Sequence, residues 1–219
     1  MADVKKSARR SYHSPARQDG ARRTRQAVLA AAADLFTTRG YAATSLADVA
    51  AAAGVARPTV SAAFGSKAAV LRQVLDVALA GDDEPVPVAK RPWFEPVWRA
   101  GDPAGVLDAY AGVCTLIAHR AAKVFETVRR AADGGPEVAA LWDTVQRNRR
   151  AGARMVVDHL LTLGSLRADL NADRAVDVLW IFNDPAMYDH LVHHCHWPQD
   201  AYRTWLSEQT RNALLPPTG

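Results

Sequence analysis

Apolar residues recur every three or four positions through most of the chain, and no alternation of apolar and polar residues lasts for five residues. This spacing is typical of amphipathic helices, whereas half-buried strands need the alternation. The first apolar stripe predicts a helix from about Ala21 to Arg39, which Gly40 ends. No hairpin turn signal lies between the apolar runs. The pattern therefore predicts an all-α fold.

Two short helices joined by a tight turn are predicted in the segment from Thr44 to Lys67. Ser45 and Asp48 have the spacing of a capping box, in which each side chain satisfies a backbone N–H group at a helix start. Gly54 is predicted to end this first helix, because glycine takes the left-handed conformation without steric cost. Pro58 is predicted at the first position of the second helix, with the preceding residue outside it. A third helix then runs to about Gly81.

The second of these helices has one buried and one outward face. Val60 and Phe64 stand four positions apart and are predicted to pack on the first helix. The residues left outside are small or polar, namely Arg57, Thr59, Ser61 and Ala62. This arrangement is the helix-turn-helix pattern that reads a major groove. We expect Arg57 to reach a guanine or a phosphate, Thr59 to hydrogen-bond a base edge and Ala62 to meet a thymine methyl.

Other residues of the segment are assigned to the same DNA-binding surface. Ser45 and Pro58 flank the outward face at the two helix starts. Thr44 and Lys67 lie near helix N-termini, where free backbone N–H groups favour a phosphate. The alternative is that Thr44 only caps its helix and that Lys67 is a solvated lysine.

The net charge of +4 is unevenly distributed along the chain. Residues 1–25 contain eight Lys or Arg and two Asp, so they carry +6 and the remaining residues carry −2. A basic segment directly before a helix-turn-helix lies where a polyanion would bind. Residues 1–20 also lack periodicity, so we expect a disordered basic arm that orders on a phosphate backbone.

A change in composition between residues 82 and 103 predicts a domain boundary. Five prolines interrupt any long helix there. Trp93, Phe94 and Trp98 predict a short helical turn that packs on the second domain. We expect the basic arm over residues 1–20, a helix-turn-helix domain over 21–81 and a larger helical domain over 82–219.

Apolar stripes and helix-breaking residues divide the larger domain into helices. The first is predicted from about Ala104 to Ala132, with a break near residues 119–123, and the second from Pro136 to about Gly164 with Met155 on its inner face. A third runs from about Ala172 to Phe182. The tripeptide Asn183-Asp184-Pro185 begins a short fourth helix, and Pro198 begins the last, which reaches about Leu215.

Composition places the chain among ordinary soluble proteins. Apolar residues make up 49% of the chain, which is ample for a core, but no apolar run is long enough to span a bilayer. The N-terminus is charged and lacks the apolar segment of a secretory signal. Cys114 and Cys195 lie far apart in sequence. These features predict a cytoplasmic protein with no membrane partner.

The segment from Arg22 to Leu75 resembles the DNA-binding domain of the tetracycline-repressor-like (TetR) transcriptional regulators. The resemblance rests on residue types and their spacing together, at Ala32, Leu35, Phe36, Gly40, Tyr41, Thr44, Ser45, Val49, Ala50, Gly54, Val55, Thr59, Val60, Phe64, Ser66 and Lys67. It implies an N-terminal three-helix helix-turn-helix domain and a C-terminal helical domain for ligand binding and dimerisation. It further implies a homodimer, held by the C-terminal helices, that binds a palindromic double-stranded DNA operator. A small-molecule effector would release the operator, and repression is the expected sign of regulation.

Three positions depart from the pattern of the resembled family. Ala56 stands where the family usually has an N-capping Ser or Thr, and Pro58 can compensate. Ser61 and Ala63 stand where a Tyr and often a His contact phosphates in many members. The helix therefore offers few phosphate contacts, and we expect the basic arm, Arg57 and Thr44 to supply more of them.

A small-molecule site in the C-terminal domain needs an apolar lining with a few polar groups. The candidates are Trp93, Trp98, His119, Phe125, Trp142, Arg149, Met155, Trp180 and Asn183. For each of them the alternative is ordinary core packing or a surface position. Arg149 and His119 are the most informative, because a charge that faces inward would indicate an anionic effector.

Neither catalysis nor a metal is predicted. No nucleophile motif, glycine-rich phosphate loop or paired acids stand at a recognisable spacing, so we expect no enzyme activity and no cofactor. His190 and His194 are four positions apart and could meet a metal, but no further ligand pattern supports it.

Two alternatives to the regulator stay open. One is a nucleoid-associated protein that binds DNA without sequence preference. The other is a helical small-molecule-binding protein or enzyme that keeps the fold but has no operator.

Overall fold

The computed structural model of the protein describes residues 15–217. Its N-terminal helices are α1 Pro15–Thr38, α2 Leu46–Ala52, α3 Arg57–Phe64 and α4 Lys67–Ala80. Its C-terminal helices are α5 Glu95–Arg99, α6 Pro103–Ala131, α7 Pro136–Leu163, α8 Ala172–Phe182, α9 Pro185–Tyr188 and α10 Gln199–Leu214. Short 3₁₀ turns lie at Val88–Lys90, Pro92–Phe94 and Ala132–Gly134, and a π-helical segment, Asp189–His194, follows α9. Residues 15–217 contain no strand, so the all-α prediction is confirmed.

Two helices differ from their predicted bounds. α1 begins at Pro15, so the last part of the predicted disordered arm is helical, whereas residues 1–14 lie outside the described residues. α6 continues through the predicted break at residues 119–123. Its charged residues there face outward while Ala118, Ala121 and Ala122 are buried, so the helix keeps one apolar face without interruption.

The helix-turn-helix has a small core formed by all four N-terminal helices. Each helix contributes the face that its apolar spacing predicts. The buried side chains are Val28, Leu29, Leu35 and Phe36 of α1, Val49 of α2, Val60 and Phe64 of α3, and Val70, Leu71, Val74 and Leu75 of α4.

This core continues into the C-terminal helices. Phe125 of α6 and Leu141 of α7 are buried in the same apolar cluster as Phe36 and Leu71. Thr127 Oγ1 also donates a hydrogen bond to the Phe36 carbonyl at 3.4 Å. The four N-terminal helices and the base of the C-terminal helices therefore share one core.

The connection between α4 and α5 is organised around Arg91. Its side chain is 5% exposed and donates to both carboxylate oxygens of Asp82 at 2.6 and 2.7 Å, and to two carbonyls of the same loop. The predicted aromatic helical turn is confirmed, because Phe94 is buried and stacks on Trp98 with ring centroids 5.0 Å apart. Among residues 15–217, no helix is both long and apolar enough to cross a membrane.

Candidate functional site

The predicted capping box at the start of α2 is present. The Ser45 hydroxyl accepts from the Asp48 backbone N–H at 3.1 Å, and the Ser45 N–H donates to Asp48 Oδ2 at 2.8 Å. The Ser45 hydroxyl also donates to Asp48 Oδ2 at 2.7 Å, and this bond, with the one from the Ser45 N–H, holds the pKa of the Asp48 carboxyl below its usual value. Gly54 has φ +68°, the left-handed conformation expected at the turn before α3. The local sequence therefore fixes the angle at which α3 leaves α2.

α3 begins one residue earlier than predicted. Ala56 is its N-cap and makes no side-chain capping bond, so Arg57 lies inside the first turn with Pro58 beside it. Proline fits there because a first-turn N–H has no partner within the helix. Arg57 is consequently carried by the helix itself rather than by the preceding loop.

The outer face of α3 is available to a partner. Val60 and Phe64 face the core with exposed fractions of 0% and 8%, as predicted. The exposed residues of the helix are Arg57, Pro58, Thr59, Ser61, Ala62 and Ala63. The helix thus presents a continuous small and polar surface of the kind that can enter a major groove.

Thr44 does not lie where a phosphate contact was predicted. Its side chain is buried, at 1% exposed, and its hydroxyl donates to the Gly40 carbonyl at 2.9 Å. Its backbone N–H bonds to the Tyr41 carbonyl at 3.3 Å. Ser45, not Thr44, is the N-cap of α2. Thr44 therefore ties the end of α1 to the following loop, and the prediction of a phosphate contact is wrong for its side chain.

Lys67 has an internal role that neither prediction for it included. Its ammonium donates to the carbonyls of Tyr41 and Thr44 at 2.8 and 2.9 Å and lies 4.2 Å from the centroid of the Tyr41 ring. Burial lowers its pKa from the ordinary lysine value. Two of its three donors are used within the protein, so Lys67 positions the start of α2 against α4.

Arg25 of α1 holds α3 in place, a role that charge counting does not reveal. Its guanidinium lies 4.8 Å from the centroid of the Phe64 ring and donates to the Ala63 carbonyl at 3.5 Å and to Gln73. A cation at a helix C-terminus also interacts favourably with the helix dipole. The available sequence signal is spacing, since Arg25 precedes the buried Val28 by three residues on the same helix.

Part of the N-terminal basic charge is neutralised within the protein. Arg22 pairs with Asp83 and Glu84 at 3.3 Å each, and these acids belong to the loop after α4. The side chains of Arg22 and Glu84 are 57% and 55% exposed, so the pair is weak. Arg22 is accordingly a contact between α1 and the loop as well as a charge near the predicted DNA surface.

Five of the predicted effector-site residues come together between α6, α7 and α8. The Arg149 Cζ atom lies 5.4 Å from the Phe125 ring centroid and 5.9 Å from that of Trp180. Phe125 meets Trp142 edge to face at 5.1 Å. Asn183 Nδ2 donates to the Arg149 carbonyl at 3.3 Å. We call these five residues the Arg149 cluster.

The charge in the Arg149 cluster faces inward, as the prediction of an anionic effector required. The Arg149 side chain is 12% exposed and pairs with Asp184 at 3.2 Å. Burial lowers the pKa of Arg149, and the Asp184 carboxylate opposes that shift. Nearby, burial raises the pKa of the Cys114 thiol to about 12, so this thiol stays protonated at neutral pH.

The remaining effector candidates lie apart from the cluster. Trp98 Nε1 donates to the Ala89 carbonyl at 2.8 Å, and Trp93 packs under the guanidinium of Arg120 at 5.7 Å. His119 is exposed, with Nδ1 3.1 Å from the Tyr188 hydroxyl. Met155 is 43% exposed, so its predicted place on the inner face of α7 is wrong.

The histidines near the C-terminus interact with an acid and with one another. His190 and His194 have ring centroids 6.0 Å apart, and His193 Nδ1 lies 2.8 Å from Asp189 Oδ1. In the part of the chain that the structure describes, no group of three or more His, Cys, Asp or Glu could hold a metal ion.

Comparison with known proteins assigns the helix-turn-helix. Residues 28–74 match the family described as "Bacterial regulatory proteins, tetR family". No curated protein matches the chain in sequence. These 47 residues contain α2, α3, the second half of α1 and the first half of α4, that is, the elements that surround the outward face of α3.

Solved structures share the architecture of nearly the whole chain. A TetR transcriptional regulator from Chloroflexus aurantiacus is 21% identical, with a TM-score of 0.64 over 90% of this chain and 98% of its own. The fatty acid degradation regulator FadR from Bacillus halodurans is 16% identical, with a TM-score of 0.65 over 85% and 94%. A Saccharomonospora viridis protein solved in complex with choline is 18% identical, with a TM-score of 0.67 over 88% and 98%.

Fold and site together define a helix-turn-helix DNA-binding transcriptional regulator with a helical C-terminal domain. The resemblance inferred from the sequence is confirmed over residues 28–74, which match the tetR family, and the chain as a whole has the fold of solved TetR-family regulators.

Proposed function

We propose that the protein is a homodimeric repressor that binds a palindromic operator and releases it when a small-molecule effector binds the C-terminal domain. The observation that carries the DNA part is the outer face of α3, where Arg57, Thr59, Ser61 and Ala62 are exposed while the opposite face is buried. Such a helix offers hydrogen-bond donors and a methyl group to base edges.

Phosphate contacts come mainly from outside α3 in this account. Ser61 and Ala63 carry short, uncharged side chains, and Thr44 and Lys67 make their hydrogen bonds within the domain. Basic residues near the start of α1, such as the exposed Arg23, therefore contribute charge beside the groove. Strong salt dependence of binding follows from this arrangement.

Dimerisation through the C-terminal helices sets the distance between two copies of α3. The outer surface of α8 carries Ile181, which is 58% exposed, beside the half-buried Val178. An apolar patch of this kind can be buried against the same patch of a second copy. Recognition helices must then match half-sites about 34–36 Å apart, so a small rotation of the subunits breaks the match.

The effector acts through the shared core. Phe125 contacts Arg149 on one side and belongs on the other to the apolar cluster that contains α1 and α4 residues. A ligand that moves the Arg149 cluster would therefore displace the helices that carry α3. It shifts the equilibrium only if it binds the conformation that does not match the operator more tightly.

Selection from a random double-stranded DNA pool tests the proposal, with the protein at physiological salt. We expect one enriched palindrome whose two half-sites are separated by about one helical turn or a multiple of it. A binding isotherm on the enriched duplex then measures the stoichiometry, expected to be one or more dimers.

Two results would contradict this function. Uniform binding of all sequences with steep salt dependence would favour a nucleoid-associated protein. Failure to retain any DNA would favour a small-molecule-binding protein that uses the same fold.

A further inference from the structure

Buried polar atoms without partners concentrate in the Arg149 cluster. In residues 19–217, four buried side-chain nitrogen or oxygen atoms make no hydrogen bond: Arg149 Nε, Trp180 Nε1, Asn183 Oδ1 and His159 Nε2. The first three belong to this one cluster. Buried polar groups in proteins nearly always have a hydrogen-bond partner, so three atoms without one in the same cluster indicate a site for a bound group.

The three atoms without partners define which hydrogen bonds a ligand would have to make. Arg149 Nε and Trp180 Nε1 are donors, and Asn183 Oδ1 is an acceptor. The guanidinium supplies one positive charge, and its faces are covered by the rings of Phe125 and Trp180. The surroundings are therefore suited to an anionic group with a neighbouring donor, attached to an apolar body.

Asp184 is the anion that now pairs with Arg149, at the Nη1 atom and not at the unpaired Nε. Its Oδ2 lies 3.2 Å from Arg149 Nη1, while its Oδ1 accepts from the Ala186 N–H at 2.9 Å and caps α9. The Asp184 side chain is 31% exposed. Oδ2 can therefore leave Arg149 for water while Oδ1 keeps the cap.

We propose that the Arg149 cluster binds the carboxylate of a small apolar 2-hydroxy or N-acyl amino acid, which displaces Asp184 from Arg149. The carboxylate accepts from Arg149 Nε and Trp180 Nε1, and the hydroxyl or amide N–H of the ligand donates to Asn183 Oδ1. This inference rests on the proposed effector response and names its ligand class. A dianion such as phosphate is disfavoured, because a single guanidinium and the adjacent Asp184 leave its second charge without a partner.

Binding requires a movement of α8 and α9. The apolar gap beside the cluster, bounded by Tyr110, Cys114, Leu179 and Phe182 among others, has no room for a water molecule. The apolar body of the ligand must open this gap. Release of Asp184 Oδ2 removes the ion pair that ties the start of α9 to α7, while the α9 cap is kept, and Phe125 passes the change to the shared core.

Titration with 3-phenyllactate, its neutral amide and 3-phenylpropanoate tests the inference without DNA. Calorimetry and the fluorescence of the tryptophans report binding. We expect the amide to bind at least about tenfold more weakly than 3-phenyllactate, because it lacks the charge-assisted bonds to Arg149. We expect 3-phenylpropanoate, which lacks the hydroxyl donor, to lie between them.

Substitutions distinguish residues that bind the ligand from residues that only stabilise the fold. D184N keeps an oxygen for the α9 cap but removes the competing charge, so it should tighten 3-phenyllactate binding about tenfold. R149Q should abolish it. R150Q and D177N are matched controls, since Arg150 and Asp177 form the exposed pair of the same two helices at 2.7 Å and should leave binding unchanged.

The inference is overturned if the amide and the acid bind equally, if D184N binds no more tightly than the wild type, or if neither protein binds the acid at 20 mM. D184N decides the question even if R149Q does not fold. An acid that binds but leaves the selected operator duplex bound would refute the effector response alone, and the carboxylate site would stand.

Discussion

At the residue scale, the polar side chains of the helix-turn-helix divide into those that build it and those that face outward. Four of these side chains form hydrogen bonds with backbone groups of the domain, namely those of Thr44, Ser45, Asp48 and Lys67. Arg57 and Thr59 remain exposed on α3. Some polar residues of this domain therefore have a structural role, whereas others are candidates for contact with DNA.

The capping box gives a stability prediction with a pH signature. S45A should lower the free energy of unfolding by about 1 kcal/mol, because the N-cap bond is lost. The pKa of Asp48 should rise towards its usual value. In the wild type the folded state lowers that pKa, so the stabilisation is present above the unfolded value and is lost as the pH falls through the folded one.

Chemical denaturation and NMR titration of Asp48 measure the two effects. S165A, in the exposed loop after α7, is the control and should change neither. A variant S45A with unchanged stability and an unchanged Asp48 pKa would show that the capping box is not formed in solution.

At the scale of elements, α4 is the connection between the helix-turn-helix and the C-terminal domain. It begins at the Ser66 cap, carries Leu71 and Leu75 into the shared core and ends at Gly81 with φ +92°. The Arg120 guanidinium of α6 packs directly over Gly81. Specific contacts therefore fix both ends of α4, so a movement of α6 would be transmitted to the start of α4.

G81A tests the far end of α4. The alanine would have to adopt a left-handed conformation, at a cost of about 1–2 kcal/mol, and its Cβ would lie 2.9 Å from Arg120 Cζ. We expect a lower free energy of unfolding in urea. G101A is the matched control, because a Cβ there meets nothing within 4 Å and the backbone is not left-handed. Equal stabilities of the two variants would contradict this role of Gly81.

Elements with local signals could be predicted from the sequence, and those that depend on tertiary contacts could not. The Ser45 cap, Gly54 and the spacing of Val60 and Phe64 are local and identify α2 and α3. The extension of α1 to Pro15 could not be predicted from an apolar stripe, because residues 15–20 contain no large apolar residue.

The candidate sites, too, could be predicted from the sequence only where the signal is local. Exposure of the α3 face follows from periodicity, whereas the burial of Thr44 depends on how the loop folds back on α1. The sequence supplied Arg149 and Trp180 as effector candidates. It could not supply Asp184 as the partner of Arg149, because that pair forms only when α7 and α9 meet.

At the scale of the whole molecule, one apolar core joins the DNA-binding helices to α6 and α7. Phe36, Leu71, Phe125 and Leu141 are members of a single buried cluster. Separate domains with a polar interface would move independently. A shared core instead makes the orientation of α3 depend on the packing of the C-terminal helices.

The shared core predicts a single cooperative unfolding transition. All six tryptophans lie after residue 92, so their fluorescence reports only on the C-terminal part. L71A removes a fully buried side chain of α4 and should cost about 2–5 kcal/mol. We expect the fluorescence midpoint and the circular dichroism midpoint to fall together. L161A, at a 41% exposed leucine, is the control. A fluorescence transition unmoved by L71A would show two independent domains.

Recognition of a specific DNA sequence by α3 is the central claim, and operator affinity of α3 variants tests it most directly. Fluorescence anisotropy on the selected duplex and on a scrambled one should show R57A and T59A weakened by about 1–3 kcal/mol on the selected duplex only. R147A and T162A, exposed on α7, are matched controls that should bind both duplexes as the wild type does. If R57A and T59A both bind the selected duplex as tightly as the wild type, α3 does not read the operator and the account is wrong.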